Sequence, residues 1–487
     1  MSASIVHIGF GAFHRAHQLV YAQSLKNIGA FPWSYCAVSL NRTADIEALR
    51  QQDYIFHVWA QDCERAELHE VNVVSEALHP KLDGFEAIVE KIADLNTKII
   101  SFTVTEKAYY IQPGSMRLDC NNAQILYDLD HAFSEPARSQ TIFGLLAAGL
   151  QKRREGHGEG LALLSCDNVR SNGKVLASAL IQFCEKANKD LAEWIKKEIT
   201  FPCTMVDRIV PKMNAEARDL LEKTCGRKDA VGVVCEGFSQ WVIEDRFPHG
   251  RPDWESVGVE MVSDVTPYEE MKLRMLNGAH SFIAYAGASI GCTSVSEFMQ
   301  NERNSALVRH FMLQEQAASI SHHDVDQASR YEQYADALIE RFKNPNLAHK
   351  LLQIAMDGSQ KIPQRIVPAL LINTSKKNHC ELGVLAIAIW LNYIRLCSQG
   401  DIQGNSEGLQ DPQSKELLSC FEASADCSAS GKSILENKSI FPVTFIENKI
   451  LIPDILKALV ELKICGVNEV LNKRVHLLKD TALVNAY

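Results

Sequence analysis

Short apolar runs separated by longer mixed stretches mark the first half of the chain. Residues 4–10 (SIVHIGF), 34–40 (SYCAVSL), 98–105 (KIISFTVT), 160–167 (GLALLSCD) and 230–237 (AVGVVCEG) are too short for helices and apolar almost throughout. That is the pattern of strands buried on both faces of a parallel sheet. Helical periodicity fills the stretches between them, and strands alternating with helices predict a doubly wound α/β domain. From Tyr268 onward strand-like runs nearly vanish and amphipathic segments follow, such as residues 268–286 and 382–398. The pattern therefore predicts an α/β domain over residues 1–262 and a mostly α-helical domain over 263–487. Residues 397–414 (CSQGDIQGNSEGLQDPQS) are polar and rich in turn formers, and are expected to form an exposed loop.

Composition narrows the function classes. A chain of 487 residues suggests two or three domains, each with its own core. A net charge of -10 argues against a nucleic-acid partner, which calls for a basic face. No apolar run of membrane-spanning length is evident, and MSASIVHIGF lacks the basic start and long apolar run of a secretory signal. The expected location is the cytoplasm. Fourteen cysteines without a CxxC pair are expected to be reduced, mostly buried thiols.

Two short stretches carry candidate chemistry. The first predicted strand runs into Gly9 and Gly11 and then into a segment able to start a helix, the context a dinucleotide loop requires. Gly9 permits a tight turn, and Gly11 lets the backbone approach a pyrophosphate whose oxygens face the helix N–H groups. The third glycine of such loops is missing, and residues 12–17 read AFHRAH. The second stretch is PYEEMKLRMLNGAHSF, residues 267–282. At about 100° per residue, Lys272, Asn277 and His280 fall near 0°, 140° and 80° around one helix, and Glu269 near 60°. A cation, an amide, an imidazole and a carboxylate sharing a face with Leu276 suit either the wall of a polar cavity or a solvated stripe with ion pairing one turn apart.

Both stretches resemble one family. GFGAFHRAH is similar to the signature of the polyol-specific long-chain dehydrogenases, the family of mannitol 2-dehydrogenase and the uronate reductases, and KxxxxNxxH over Lys272, Asn277 and His280 matches its catalytic signature. Residues 165–175, 201–211, 241–255 and 356–365 concur, whereas roughly the last 90 residues carry nothing specific. The resemblance implies an enlarged Rossmann domain followed by a mostly helical domain. It also implies a nicotinamide cofactor held by Gly9, Gly11, Ala12, Phe13, His14 and Arg15, with Phe13 closing the turn and the basic pair beginning the helix.

Hydride transfer to or from a secondary alcohol carbon needs a proton acceptor for the hydroxyl and donors for the oxygen as it gains charge. Zinc supplies both in other enzymes, but no Cys/His cluster with ligand spacing is present, and SHHD at 321–324 reads as an exposed helix start. Lys272 is thus the expected base in oxidation and acid in reduction, its pKa lowered by burial and neighbouring positive charge. Asn277 and Asn168 are the expected oxyanion donors. His280 is expected to hold a neighbouring hydroxyl, and Asp207 to anchor another hydroxyl or orient a base. Asp207 and Arg208 also fit an adjacent ion pair that fixes a loop.

The family handles straight-chain polyols, such as mannitol against fructose, and sugar acids, such as mannonate against fructuronate, with tagaturonate a related case. A carboxylate calls for cationic donors. DGSQKIPQR offers Lys361 and Arg365, and this segment looks closer to the fructuronate reductase (mannonate oxidoreductase) branch. Arg365 also fits a structural role between helices. No acid for the adenosine ribose follows SYCAVSL directly; Asn41 and Arg42 come first and Asp45 arrives late. Arg42 is suited to a 2'-phosphate, so NADP stays open, while the sugar-acid branch points to NAD. The expected partner is a small sugar acid or polyol, with no nucleic acid or membrane, and the chain is expected to be a monomer or small homo-oligomer.

Overall fold

The computed structural model describes residues 4–112, 115–135, 138–320, 325–346, 349–424 and 426–478. The SHHD cluster at 321–324 lies outside them. The chain divides into two compact units, Met1–Thr266 and Pro267–Tyr487.

The described residues of the first unit form twelve strands: β1 Ile5–Ile8, β2 Tyr35–Val38, β3 Phe56–Gln61, β4 Ala66–Val71, β5 Val74–Leu78, β6 Ile99–Phe102, β7 Leu161–Ser165, β8 Ile199–Thr200, β9 Thr204–Asp207, β10 Val233–Glu236, β11 Gln240–Glu244 and β12 Glu260–Val262. The main sheet has the order β5-β2-β1-β6-β7-β8, and every pairing in it is parallel. All residues of β1, β2, β6 and β7 are buried, which explains their unbroken apolar runs. The order reverses between β1 and β6, and a crevice at the carboxyl ends of such a pair is where open α/β sheets bind ligands.

The run 230–237 does form a strand, but not in this sheet. Strand β10 extends a hairpin of β3 and β4, pairing parallel to β3 in a separate three-stranded sheet. Strands β9, β11 and β12 form a third small sheet. Four of the five apolar runs therefore lie in the main sheet, which β5 and β8 complete to six strands.

In the second unit every regular element among the described residues is a helix, apart from an isolated bridge between Ser294 and Lys350. Its core centres on the helix Glu381–Gln399, whose residues 382–394 are all buried. The helices Gly278–Ser289 and Leu451–Cys465 pack against it, so the C-terminal region without family signals completes this core. Glu381–Gln399 is long and apolar enough to cross a membrane by length and composition, contrary to the sequence reading. Its span is 72% buried inside the fold, which is why it is apolar. Half of the residues of 397–414 are exposed, and the loop is pinned by buried Ile402 and Leu409. Asp411 accepts from Ser359 N and Oγ at 2.8 and 2.6 Å, bracing the helix Gly358–Arg365. All fourteen cysteines are unpaired; six are buried, seven half-buried and one, Cys63, exposed.

Candidate functional site

In the first unit, the end of β1 shows how the chain manages without a third glycine. Gly9 has φ +110°, and a Cβ there would overlap the Thr103 carbonyl just past β6. Its amide donates to Val38 O at 2.8 Å, and its carbonyl accepts from Thr103 Oγ1 at 2.7 Å, so the turn is held from both neighbouring strands. Gly11 caps the helix Ala12–Ala16 and is exposed; a Cβ there would come no nearer than 3.8 Å to any other atom of the protein. The protein's own packing does not demand this glycine, so the space it leaves suits the approach of another molecule.

His14 occupies the place of the third glycine. Its ring lies flat on that of His7 in β1, with centroids 3.2 Å apart and planes 3° from parallel. Two thin rings face to face let helix and strand approach where a bulkier pair would hold them apart. His7 is fixed in turn by Ser101 Oγ and Thr103 Oγ1, each 2.8 Å from a ring nitrogen. Arg15 is also buried and donates to the carbonyls of Gly11 and Val231. The side chains of His14 and Arg15 are therefore engaged with the protein's own interior. Phe13 is half-buried and stacks on His17 at 4.9 Å.

Arg42 is exposed at the start of the helix Thr43–Gln51, four residues beyond β2, and its backbone is tied to Ser39 Oγ. Asn168 is exposed just beyond the carboxyl end of β7. Its neighbour Asp167, which the sequence reading passed over, is buried and accepts from Tyr109 Oη and Thr105 N, both at 2.8 Å. Asp207 ends β9 and is buried. Arg208 beside it donates to the backbone carbonyls of Glu236 and Ala16, so it ties the end of β10 to the end of the helix Ala12–Ala16.

In the second unit, the helix expected over 268–286 is interrupted. Thr266–Met271 is α-helical, Lys272–Asn277 is a π-helical turn, and Gly278–Ser289 returns to α. A π-turn bonds residue i to i+5, so Lys272 and Asn277 come one above the other, instead of lying 140° apart as regular α-geometry at about 100° per residue requires. Lys272 and Asn277 are half-buried and His280 is buried, so this face is no solvated stripe. Arg365 donates from Nη1 to Asn277 O at 3.4 Å and Ser281 Oγ at 3.1 Å, which places it against the end of the π-turn. Lys361, on the same helix as Arg365, donates to Ile354 O at 3.2 Å.

His280 sits at the centre of a cationic cluster. Its ring packs against Phe342 at 4.8 Å and meets His349 edge to face at 5.0 Å. Loss of hydration holds its pKa well below the usual histidine range, and His349, Arg365, Arg341 and Lys272 reinforce the effect. Nε2 of this buried, neutral imidazole has no hydrogen-bond partner among the described residues. Arg341 and His349 escaped the sequence reading because they come from distant stretches of chain and belong to neither motif. Among the described residues no cluster of three or more His, Cys, Asp or Glu is placed to hold a metal ion.

The buried titratable groups set a pH dependence. Loss of hydration pushes His7 down to about 3 and His349 to about 4, and takes His14 well below the usual range, as it does His280. It lifts Asp167 to about 6 and Glu315 to about 7. In the unfolded chain the histidines take up protons below about pH 6.5 and the carboxyls lose theirs above about pH 4. Histidine-linked stability is thus full above pH 6.5 and lost as pH falls toward the folded values. The two carboxyls act in the opposite sense over part of that window. About four protons favouring the unfolded state against about two favouring the folded one leave a slope of roughly 3 kcal/mol per pH unit near pH 5. Urea midpoints are expected to fall between pH 6.5 and 4.5, and a midpoint that rises over that interval contradicts the assignment.

Comparison with known proteins adds an independent line. Residues 3–256 match the family model described as the mannitol dehydrogenase Rossmann domain, and residues 264–463 match the mannitol dehydrogenase C-terminal domain. The uncharacterized oxidoreductase YeiQ of Escherichia coli K12 is 41% identical over 86% of this chain and 83% of its own length. The D-mannonate oxidoreductase of the same organism is 40% identical over 86% of this chain and 84% of its own. The solved ternary complex of Pseudomonas fluorescens mannitol 2-dehydrogenase with NAD and D-mannitol superposes with a TM-score of 0.80 at 32% identity, covering 98% of this chain and 95% of that one.

Proposed function

The chain belongs to the mannitol dehydrogenase family, and from that membership we propose that it interconverts D-mannonate and D-fructuronate with NAD, using no metal and Lys272 as the general acid and base. The observation that carries the choice of a sugar acid is the Arg365 guanidinium, which lies against Asn277 O and Ser281 Oγ at the end of the π-turn, with Arg341 and Lys272 also near enough to act on His280. Positive charge beside the proposed reacting groups favours an anionic substrate, and a charged hydrogen bond to a carboxylate contributes about 1.5–3 kcal/mol. The 40% identity to D-mannonate oxidoreductase supports the same branch.

The loop after β1 fits a dinucleotide. Gly9 makes the turn, exposed Gly11 leaves room for a pyrophosphate, and the amides of Ala12 and Phe13 head the helix that follows. The part assigned to His14 is to hold that helix against β1 and to Arg15 to tie it to Val231, and Arg42 stands beyond β2 where an adenosine ribose is received. When bound, the nicotinamide supplies the acceptor or donor of hydride.

The chain's own residues handle the proton and the substrate. Lys272 Nζ takes the hydroxyl proton in oxidation and returns it to the carbonyl oxygen in reduction. Asn277, brought over Lys272 by the π-turn, donates to the same oxygen as charge develops on it. His280, kept neutral by burial and then by the neighbouring cations, offers Nε2 to a neighbouring hydroxyl. Asn168 and Asp207, both at the carboxyl ends of strands of the first unit, are assigned to substrate oxygens.

The test is a screen of NADH and NADPH oxidation against fructuronate, tagaturonate and fructose. Fructuronate with NADH is expected to give the highest kcat/KM, at least about tenfold above fructose, as one charged hydrogen bond implies. A preference for fructose transfers the assignment to a mannitol 2-dehydrogenase, and a preference for tagaturonate to the epimeric reductase.

A further inference from the structure

We propose that His349 is a second imidazole of the substrate site, hydrogen-bonding the hydroxyl next to the one taken by His280 and so reading the configuration of that carbon. The inference rests on the sugar-acid or polyol reading above and deepens it.

Placement is the first argument. His349 lies in a segment pinned against residues 293–295: its carbonyl accepts from Val295 N at 3.1 Å, and Leu351 N donates to Thr293 O at 3.0 Å. The backbone from His349 to Leu351 is thus tied down, and the ring stands edge to face with His280 at 87° between planes. Two imidazoles at right angles present their nitrogens in different directions from nearly one place. That arrangement suits two groups one bond apart, such as adjacent hydroxyls on an open sugar chain.

The second argument is hydrogen bonding. Polar groups withdrawn from water are nearly always paired in native structures, and an exception calls for an explanation. Nε2 of His280 is buried and has no hydrogen-bond partner among the described residues. The half-buried His349 ring stands edge to face beside it at 5.0 Å. A buried imidazole nitrogen without a partner, with a second imidazole next to it, marks a place where another molecule supplies one.

Charge decides what that molecule presents to them. Burial first, and then Arg341 for His349 and Arg365, Arg341 and Lys272 for His280, keep both rings neutral at physiological pH. A neutral imidazole donates from one nitrogen and accepts at the other, which matches a hydroxyl, whereas a carboxylate only accepts. The cations are left to the carboxylate and the imidazoles to the hydroxyls.

His349→Phe keeps a ring against His280 and removes both nitrogens. In the full-length protein it is expected to raise KM for the preferred substrate roughly 5- to 150-fold, the cost of leaving a buried polar group unpaired. NADH affinity should be unchanged, and discrimination between fructuronate and tagaturonate, which differ in one hydroxyl configuration, should shrink. His349→Asn, which still hydrogen-bonds, should recover most of the loss. A KM within twofold of wild type in the Phe variant, with discrimination intact, overturns the proposal.

A second measurement needs no variant. Fructuronate with NAD should protect His349 of the wild-type enzyme from diethylpyrocarbonate, read by peptide mass, and modification at an unchanged rate overturns the proposal too. The two readings fail differently. Wild-type enzyme inactive on all three carbonyl substrates removes the function and this inference together, whereas an active enzyme indifferent to His349 removes the inference alone.

Discussion

Lys272→Ala is expected to lower turnover about 10²- to 10⁴-fold, the range of general acid-base catalysis, while NADH binding, read by fluorescence titration, stays near wild type. The side chain is half-buried on a π-turn whose far end, Asn277, is held by Arg365 and Ser281, so truncation removes the amine without removing the support of the turn. Lys272→Arg separates two roles. It keeps a positive charge beside His280 but cannot release a proton near neutral pH. If Lys272 transfers the proton, the Arg variant loses about as much as the Ala variant. Turnover restored by arginine would make Lys272 an electrostatic group and leave the base unassigned.

That experiment bears on a feature the sequence did not disclose. Residue types at Lys272, Asn277 and His280 were legible, but their arrangement was not. Laid on a regular helix the lysine and amide diverge, and only the π-turn brings them into line. Such a turn is set by packing against neighbouring helices, and KLRMLN differs in no obvious way from an α-helical hexamer. Long-range neighbours were hidden for a similar reason. His349 and Arg341 reach His280 through tertiary folding, and no local pattern announces them.

Legibility of the fold followed burial. Strands β1, β2, β6 and β7 are enclosed on both faces, and their apolar runs stood out. AELHEV in β4 is largely exposed at a sheet edge and reads as polar chain, and the two residues of β8 are too few to form a pattern. The stacking of His7 on His14 was hidden as well. His14 was expected at the cofactor through the family resemblance, and no local pattern paired it with His7. Yet the strand–loop–helix geometry turns both rings inward, where each completes the packing that a third glycine provides elsewhere.

Arg365→Ala is the sharper test of substrate class, because the structure gives this side chain two separable duties. Its Nη1 supports Asn277 O and Ser281 Oγ, so truncation is expected to loosen the amide that faces the reacting oxygen. That loss is common to every substrate. If Arg365 also meets the carboxylate of a sugar acid, a charged hydrogen bond worth about 1.5–3 kcal/mol disappears for fructuronate alone. The kcat/KM for fructuronate should then fall roughly 10- to 150-fold further than that for fructose. The comparison isolates the carboxylate, since both substrates carry the same reacting carbonyl and neighbouring hydroxyls. Equal losses on the two substrates would confine Arg365 to bracing the π-turn and pass the carboxylate to another cation, Lys361 first. In that event Lys361→Ala should show the difference between substrates that Arg365→Ala did not.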